Sequence, residues 1–125
     1  MKLSGEAAIV GFVELPPERK PSRPPMFQLD QYAALAKAAL DDAGIPASAV
    51  NGLITAGVRE SDKFAPATLS EYLGIPLNYG EVVDLGGANS AAMVWRAAVA
   101  VELGLCDAVL AVVPGHYEFP RSARR

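Results

Sequence analysis

The sequence predicts an α/β protein, ordered β-α-β-α-β-α-β, with a mostly parallel sheet covered by helices on both faces. Three observations carry this. Short apolar runs with many β-branched residues recur at 7–13, 50–57, 81–85 and 107–113. Segments with helical spacing of apolar residues separate them, and Gly44, Gly74 and Gly104 follow those segments as stop signals. Regular alternation of strands and helices argues for parallel strands joined by right-handed crossovers.

The first run, Ala7-Ala8-Ile9-Val10-Gly11-Phe12-Val13, lies between a charged start and Pro16-Pro17 and reads as a buried strand. Residues 14–25 hold five prolines and five charges, which suit neither a ladder nor a helix interior, so an exposed loop is expected. Leu29, Tyr32, Ala36, Ala39, Leu40 and Ala43 share one helical face, and Asp30, Gln31, Lys37, Asp41 and Asp42 mostly take the other. That amphipathic helix should cover one face of the sheet. The second strand is 50–57. Pro66 suits a helical first turn, with Leu69, Tyr72 and Leu73 following.

Residues 81–85 form the third strand. Asn89 or Ser90 is expected to cap the next helix, which runs to about Leu103. Between Ala91 and Val101 only Arg96 is charged, which predicts a helix packed on nearly every side, between layers. The run 107–113 reads as a central strand covered on both faces. Residues 114–125 form a polar, basic tail.

The 125 residues suffice for one domain with its own core. A net charge of −3 offers no footprint for nucleic acid or an anionic membrane surface. The single cysteine forms no internal disulfide, and the start shows no signal-peptide run, so a cytoplasmic protein is expected. No apolar stretch is long enough for a membrane span.

The candidate chemistry centres on Val82-Val83-Asp84-Leu85-Gly86-Gly87-Ala88-Asn89-Ser90: strand, two-glycine turn, helix start. Helix N-termini present unpaired N–H groups and a partial positive charge, which suits an anion or a nucleophile. The two glycines equally suit tight strand–helix packing. A Rossmann fingerprint and a phosphate loop are both absent. Ser90 sits one place late for a nucleophile elbow. Cys106 enters an apolar strand beside Asp107, with no adjacent base or cation to activate it. His116, the only histidine, follows the last strand with Tyr117 and Glu118, at the same end of a parallel sheet as Gly86-Gly87. One histidine supplies neither a metal set nor a dyad, so no metal site is expected.

The order of these segments resembles the thiolase superfamily, nearest its sterol-carrier-protein thiolase-like branch. Leu29 to Ile45 resembles the first helix, with its alanine-rich face and Ala-Gly-Ile ending. Val50-Asn51-Gly52-Leu53-Ile54 is similar to the family's Asp-Gly-Leu-Ile strand, with Asn51 replacing the aspartate. Gly86 to Ala92, the helix after it and Leu105 to Leu110 resemble the nucleophile turn, central helix and next strand.

The resemblance implies a protein acting on or binding acyl-CoA thioesters, with a coenzyme A thioester as substrate and no bound cofactor. It places Gly87 where those enzymes carry the acyl-accepting cysteine, and glycine has no atom to acylate. It further implies retro-aldol C–C cleavage of steroid side-chain CoA esters, with Gly87 or Ala88 backbone N–H groups facing an enolate oxygen and His116 as a further candidate. An OB-fold partner of the DUF35 type and a homodimer follow from the same resemblance. The alternative is a non-catalytic subunit that dimerises through strand 81–85 and helix 90–103. The resemblance covers most of the chain, up to about Val113, so residues 1–125 are expected to form a partial N-terminal domain of that family. The family's later catalytic histidine and second cysteine have no counterpart, which leaves either a piece of a longer protein or a half-module completed by another polypeptide.

Overall fold

In the computed structural model, residues 2–17, 19–20, 27–57 and 64–115 are described. The periodic segment after Phe27 forms helix α1 (Gln28–Ala43), burying Gln31, Tyr32, Leu35 and Ala36. Gly44 ends it at φ +72, a left-handed conformation that glycine adopts without side-chain strain. Its N–H then donates to Leu40 O at 2.9 Å. Strand β1 (Gly52–Thr55) follows, with all four residues buried. Helix α2 (Ala65–Leu73) carries Pro66 in its first turn, where a missing N–H costs nothing, and stops at Gly74. Strand β2 (Tyr79–Val82), helix α3 (Asn89–Glu102) and strand β3 (Val109–Val112) complete the order.

The strands form one parallel sheet in the order β2-β1-β3, with Gly52 opposite both Tyr79 and Val109. Successive strand residues point to opposite faces. Accordingly Leu53 packs with Tyr32, Leu35 and Leu69 from α1 and α2, and Ile54 packs with Met93 from α3. Helices therefore cover both faces, as the sequence predicts. Among the described residues no helix is long and apolar enough to cross a membrane.

One residue, through its side chain and its backbone carbonyl, ties the amino ends of all three strands. Asn51 Oδ1 accepts the Asp107 N–H at 2.8 Å and the Ala108 N–H at 3.3 Å, and Asn51 Nδ2 donates to Asp107 Oδ2 at 3.1 Å. The Asn51 carbonyl accepts the Asn78 and Tyr79 N–H groups at 2.7 and 3.1 Å.

Several expectations need correction. Residues 7–13 join no strand, and Ile9, Val10 and Phe12 are 76%, 65% and 71% exposed. The run is apolar, but burial of a strand requires a neighbour to pair with. Here the Phe12 N–H goes to the Asp42 carboxylate at 2.9 Å instead. β3 is an edge strand and β1 the central one, because β1 pairs on both sides. Strand β2 begins two residues before the expected start and its ladder ends at Val82. α3 is not enclosed: Val94, Trp95 and Leu103 are 52%, 57% and 48% exposed. A sheet of three strands offers it one face to bury. In the proline-rich stretch, residues 14–17 and 19–20 are exposed and neither helix nor strand, whereas 21–26 lie outside the described residues, as do 116–125.

Candidate active-site turn

The candidate site is the connection from β2 to α3. The Val83 N–H bonds Thr55 O at 2.8 Å, which keeps the chain on the sheet for one residue past the strand. Leu85 then leaves it, and Gly86 to Ala88 form a single tight turn before α3 begins at Asn89. The Ala88 N–H donates to Leu85 O at 3.3 Å. Asn89 does not cap α3: its Oδ1 reaches back to the Leu85 N–H at 2.6 Å and closes the turn. Ser90 makes no cap bond either, because the cap position of the helix is Ala88. It sits exposed in the first turn.

The two glycines play different parts. Gly86 has φ +60, which side chains strain to adopt. Gly87 is not among the residues with positive φ, and a Cβ built on it meets nothing within 4 Å. Tight packing therefore does not explain Gly87. The turn has room for a side chain at the position the resemblance matches to the acyl-accepting cysteine. Gly87 and Ala88 are exposed at the amino end of a 14-residue helix with no acidic residue in its first turn. That end attracts negative charge. Of the two backbone donors, Ala88 has its N–H engaged by Leu85.

Around the same end of the sheet, the buried Tyr32 hydroxyl donates to Ala56 O and Gly57 O at 3.0 and 3.1 Å and so fixes the end of β1. Burial pushes the Tyr32 phenol up to about 12, against the lowering by the Ala56 bond. His116 lies outside the described residues, so the turn is described without it. Cys106 is buried, and burial, helped by the Asp107 carboxylate, pushes its thiol up, which disfavours the thiolate. Among the described residues no group of three or more His, Cys, Asp or Glu side chains is placed to hold a metal ion.

Sequence reasoning missed a polar cluster beside α3. Arg96 Nη1 lies 3.3 Å from Glu81 Oε1, the Tyr79 hydroxyl donates to Glu81 Oε2, and the guanidinium sits 5.5 Å from the Trp95 ring centre. Burial foremost, then the Glu81 carboxylate, pushes the Tyr79 phenol up to about 12. The signal was available: Arg96 is the lone charge between Ala91 and Val101, and Tyr79 and Glu81 alternate on a strand.

No family model and no curated protein matches the chain. Solved structures do. A chain of the Ltp2–ChsH2(DUF35) aldolase is 29% identical with a TM-score of 0.60, covering 69% of this chain and 22% of its own length. OleA of Xanthomonas campestris, solved with bound lauric acid and lauroyl-CoA, is 26% identical with a TM-score of 0.56, covering 70% of this chain and 27% of its own. The match thus spans roughly a quarter of each of those longer chains. In sequence and fold, over more than two-thirds of its residues, this chain is similar to these thiolase-like proteins, which bears out the resemblance for the part of the fold it shares.

Proposed function

We propose that this chain is part of a thiolase-like protein that handles acyl-CoA thioesters without an acyl-cysteine, and that its reaction is retro-aldol C–C cleavage of a β-hydroxyacyl-CoA of the steroid side-chain type. One observation carries the reading: Gly87 leaves the nucleophile position open while the helix start behind it is kept. The likeness to an aldolase and to a protein solved with lauroyl-CoA supports it. In the cleavage, the β-hydroxyl loses its proton and the Cα–Cβ bond breaks. Its electrons pass to an enolate of the thioester, which then takes a proton at Cα. The products are an aldehyde or ketone and a shortened acyl-CoA. An enolate oxygen gains most from a preorganised donor in the transition state, and the Gly87 N–H at the α3 terminus is the donor proposed here. The DUF35-type OB-fold partner and a cytoplasmic location belong to this proposal.

The test is incubation of the protein, alone and with a DUF35-type partner, with a β-hydroxyacyl-CoA, following carbonyl release by mass spectrometry. A version extended by the second half of the fold is assayed in parallel. Release supports the reading, and no release by the extended version with its partner present sinks it.

A second reading is a non-catalytic subunit that dimerises through strand 81–85 and helix 90–103. It is favoured by the exposed Val82 and Leu85 at the end of β2, an edge strand among the described residues, and by the exposed Val94 and Trp95 of α3. Trp95 is the only tryptophan. Dimerisation through this face should shift its fluorescence to the blue as concentration rises, in step with a doubling of mass by light scattering. A constant monomer mass excludes this reading.

A further inference from the structure

The last residue of α3 is Glu102, an acid at the helix end where the dipole favours a cation. Its carboxylate is engaged by the start of the chain. The Ser4 N–H donates to Oε2 at 2.9 Å and the Glu6 N–H to Oε1 at 3.0 Å. The N–H groups of Gly5 and Ala7 also act on it. Gly5 stands at φ +75, which lets successive N–H groups turn toward one point. Among the described residues, backbone N–H groups and desolvation alone perturb Glu102. The Ser4 N–H, with smaller help from Glu6, Gly5 and Ala7, holds its carboxyl below the usual carboxylate value, against opposing desolvation. Lys2 and Glu6 are the charged side chains of the segment itself, and the α3 turn before Glu102 is Ala98-Val99-Ala100-Val101.

Further along, the segment is seated on α1. A Cβ at Gly11 would lie 2.6 Å from Ala39 O and 2.8 Å from Ala43 Cβ, so the backbone there rests directly on the helix. Together with the Phe12–Asp42 bond, this fixes the segment to helices on opposite faces of the sheet, although it joins no ladder.

We propose that residues 4–7 form a carboxylate-binding nest, and that Glu102 seated in it latches the amino-terminal segment to the end of α3. The nest reads the two oxygens of a carboxylate through backbone N–H groups, so its ligand class is a carboxylate and its resident ligand is internal.

The test uses the 125-residue chain and its Glu102→Ala variant, followed by amide exchange and NMR shifts during titration with sodium acetate, with sodium chloride at matched ionic strength as control. In the parent chain the amides of residues 4–7 should exchange about tenfold slower or more than in the variant, as expected of a locally closed segment. Acetate should move those four amide signals saturably in the variant and leave them unmoved in the parent. Unprotected amides in the parent, or no saturable acetate response in the variant, overturns the proposal. If Glu102→Ala unfolds, Gly5→Val serves instead: it strains φ +75 without touching α3, and should release the same four amides. Their retained protection in Gly5→Val overturns the nest.

Discussion

Asn89 Oδ1 accepts the Leu85 N–H at 2.6 Å, so the first residue of α3 closes the turn behind it and does not cap its own helix. The bond spans the two glycines, which have no side chains to stiffen the connection. Asn89→Ala should cost about 1 kcal/mol, the usual net worth of such a bond. It should lower the urea midpoint without changing the slope. An unchanged midpoint would mean that the turn keeps its shape without Asn89.

Of the two glycines in this turn, Gly87 is the one that accepts a side chain without backbone strain. Gly87→Cys should therefore fold, with a stability change within about 1 kcal/mol, the size of glycine's backbone penalty. The new thiol stands at a helix N-terminus, so its pKa should fall below the ordinary value of about 8.5. Iodoacetamide modification against pH measures this directly. Cys106 is an internal reference, because burial and Asp107 push its thiol up and it should react later and more slowly.

Asn51→Asp should be destabilising even though the family strand carries aspartate. The amide nitrogen donates to Asp107 Oδ2, and a carboxylate there would face another carboxylate. Like charges this close raise carboxyl pKa values in the folded state. The penalty should be present at neutral pH and should relax as pH falls into the carboxylate range, near about 4. Asn51→Ala should cost about 1 kcal/mol at every pH, because it removes these bonds and leaves the half-buried Ala108 N–H without its partner. Denaturant titrations of both variants at several pH values separate the two effects.

The two tyrosines raised most, Tyr32 and Tyr79, make the fold sensitive to alkali. Tyr32 and Tyr79 are both pushed up to about 12, whereas an unfolded tyrosine ionises near about 10. Between those values the unfolded chain has lost protons that the folded chain retains, so stability is complete below pH 10 and declines as pH rises toward 12. Phenolate absorbance should show at least two late-titrating groups, Tyr32 and Tyr79, that join the ordinary ones on unfolding, while Tyr72 is raised by its bond to Asp30. Tyr32→Phe should remove one of them. It should also loosen the end of β1, since the hydroxyl holds Ala56 O and Gly57 O.

The sequence by itself determined the local elements. α1 stops at Gly44 and α2 at Gly74, because apolar spacing and left-handed glycines are local signals. It also determined the parallel sheet with helices on both faces, because alternating elements restrict how the chain can layer. Gly87 was legible as the odd residue of its turn. Only the tertiary structure decided which apolar runs are paired. Residues 7–13 and 107–113 look equally strand-like in sequence, yet only the second finds a ladder, because pairing depends on a neighbour that local composition does not specify. The same reason leaves α3 half exposed. Hydrophobicity on all sides states what a helix can bury, and the three strands beneath it set how much it does bury. The carboxylate bonds of Asp42 and Glu102, and the Asn51 tie, join residues 30 to 98 positions apart, a distance over which no sequence pattern reaches.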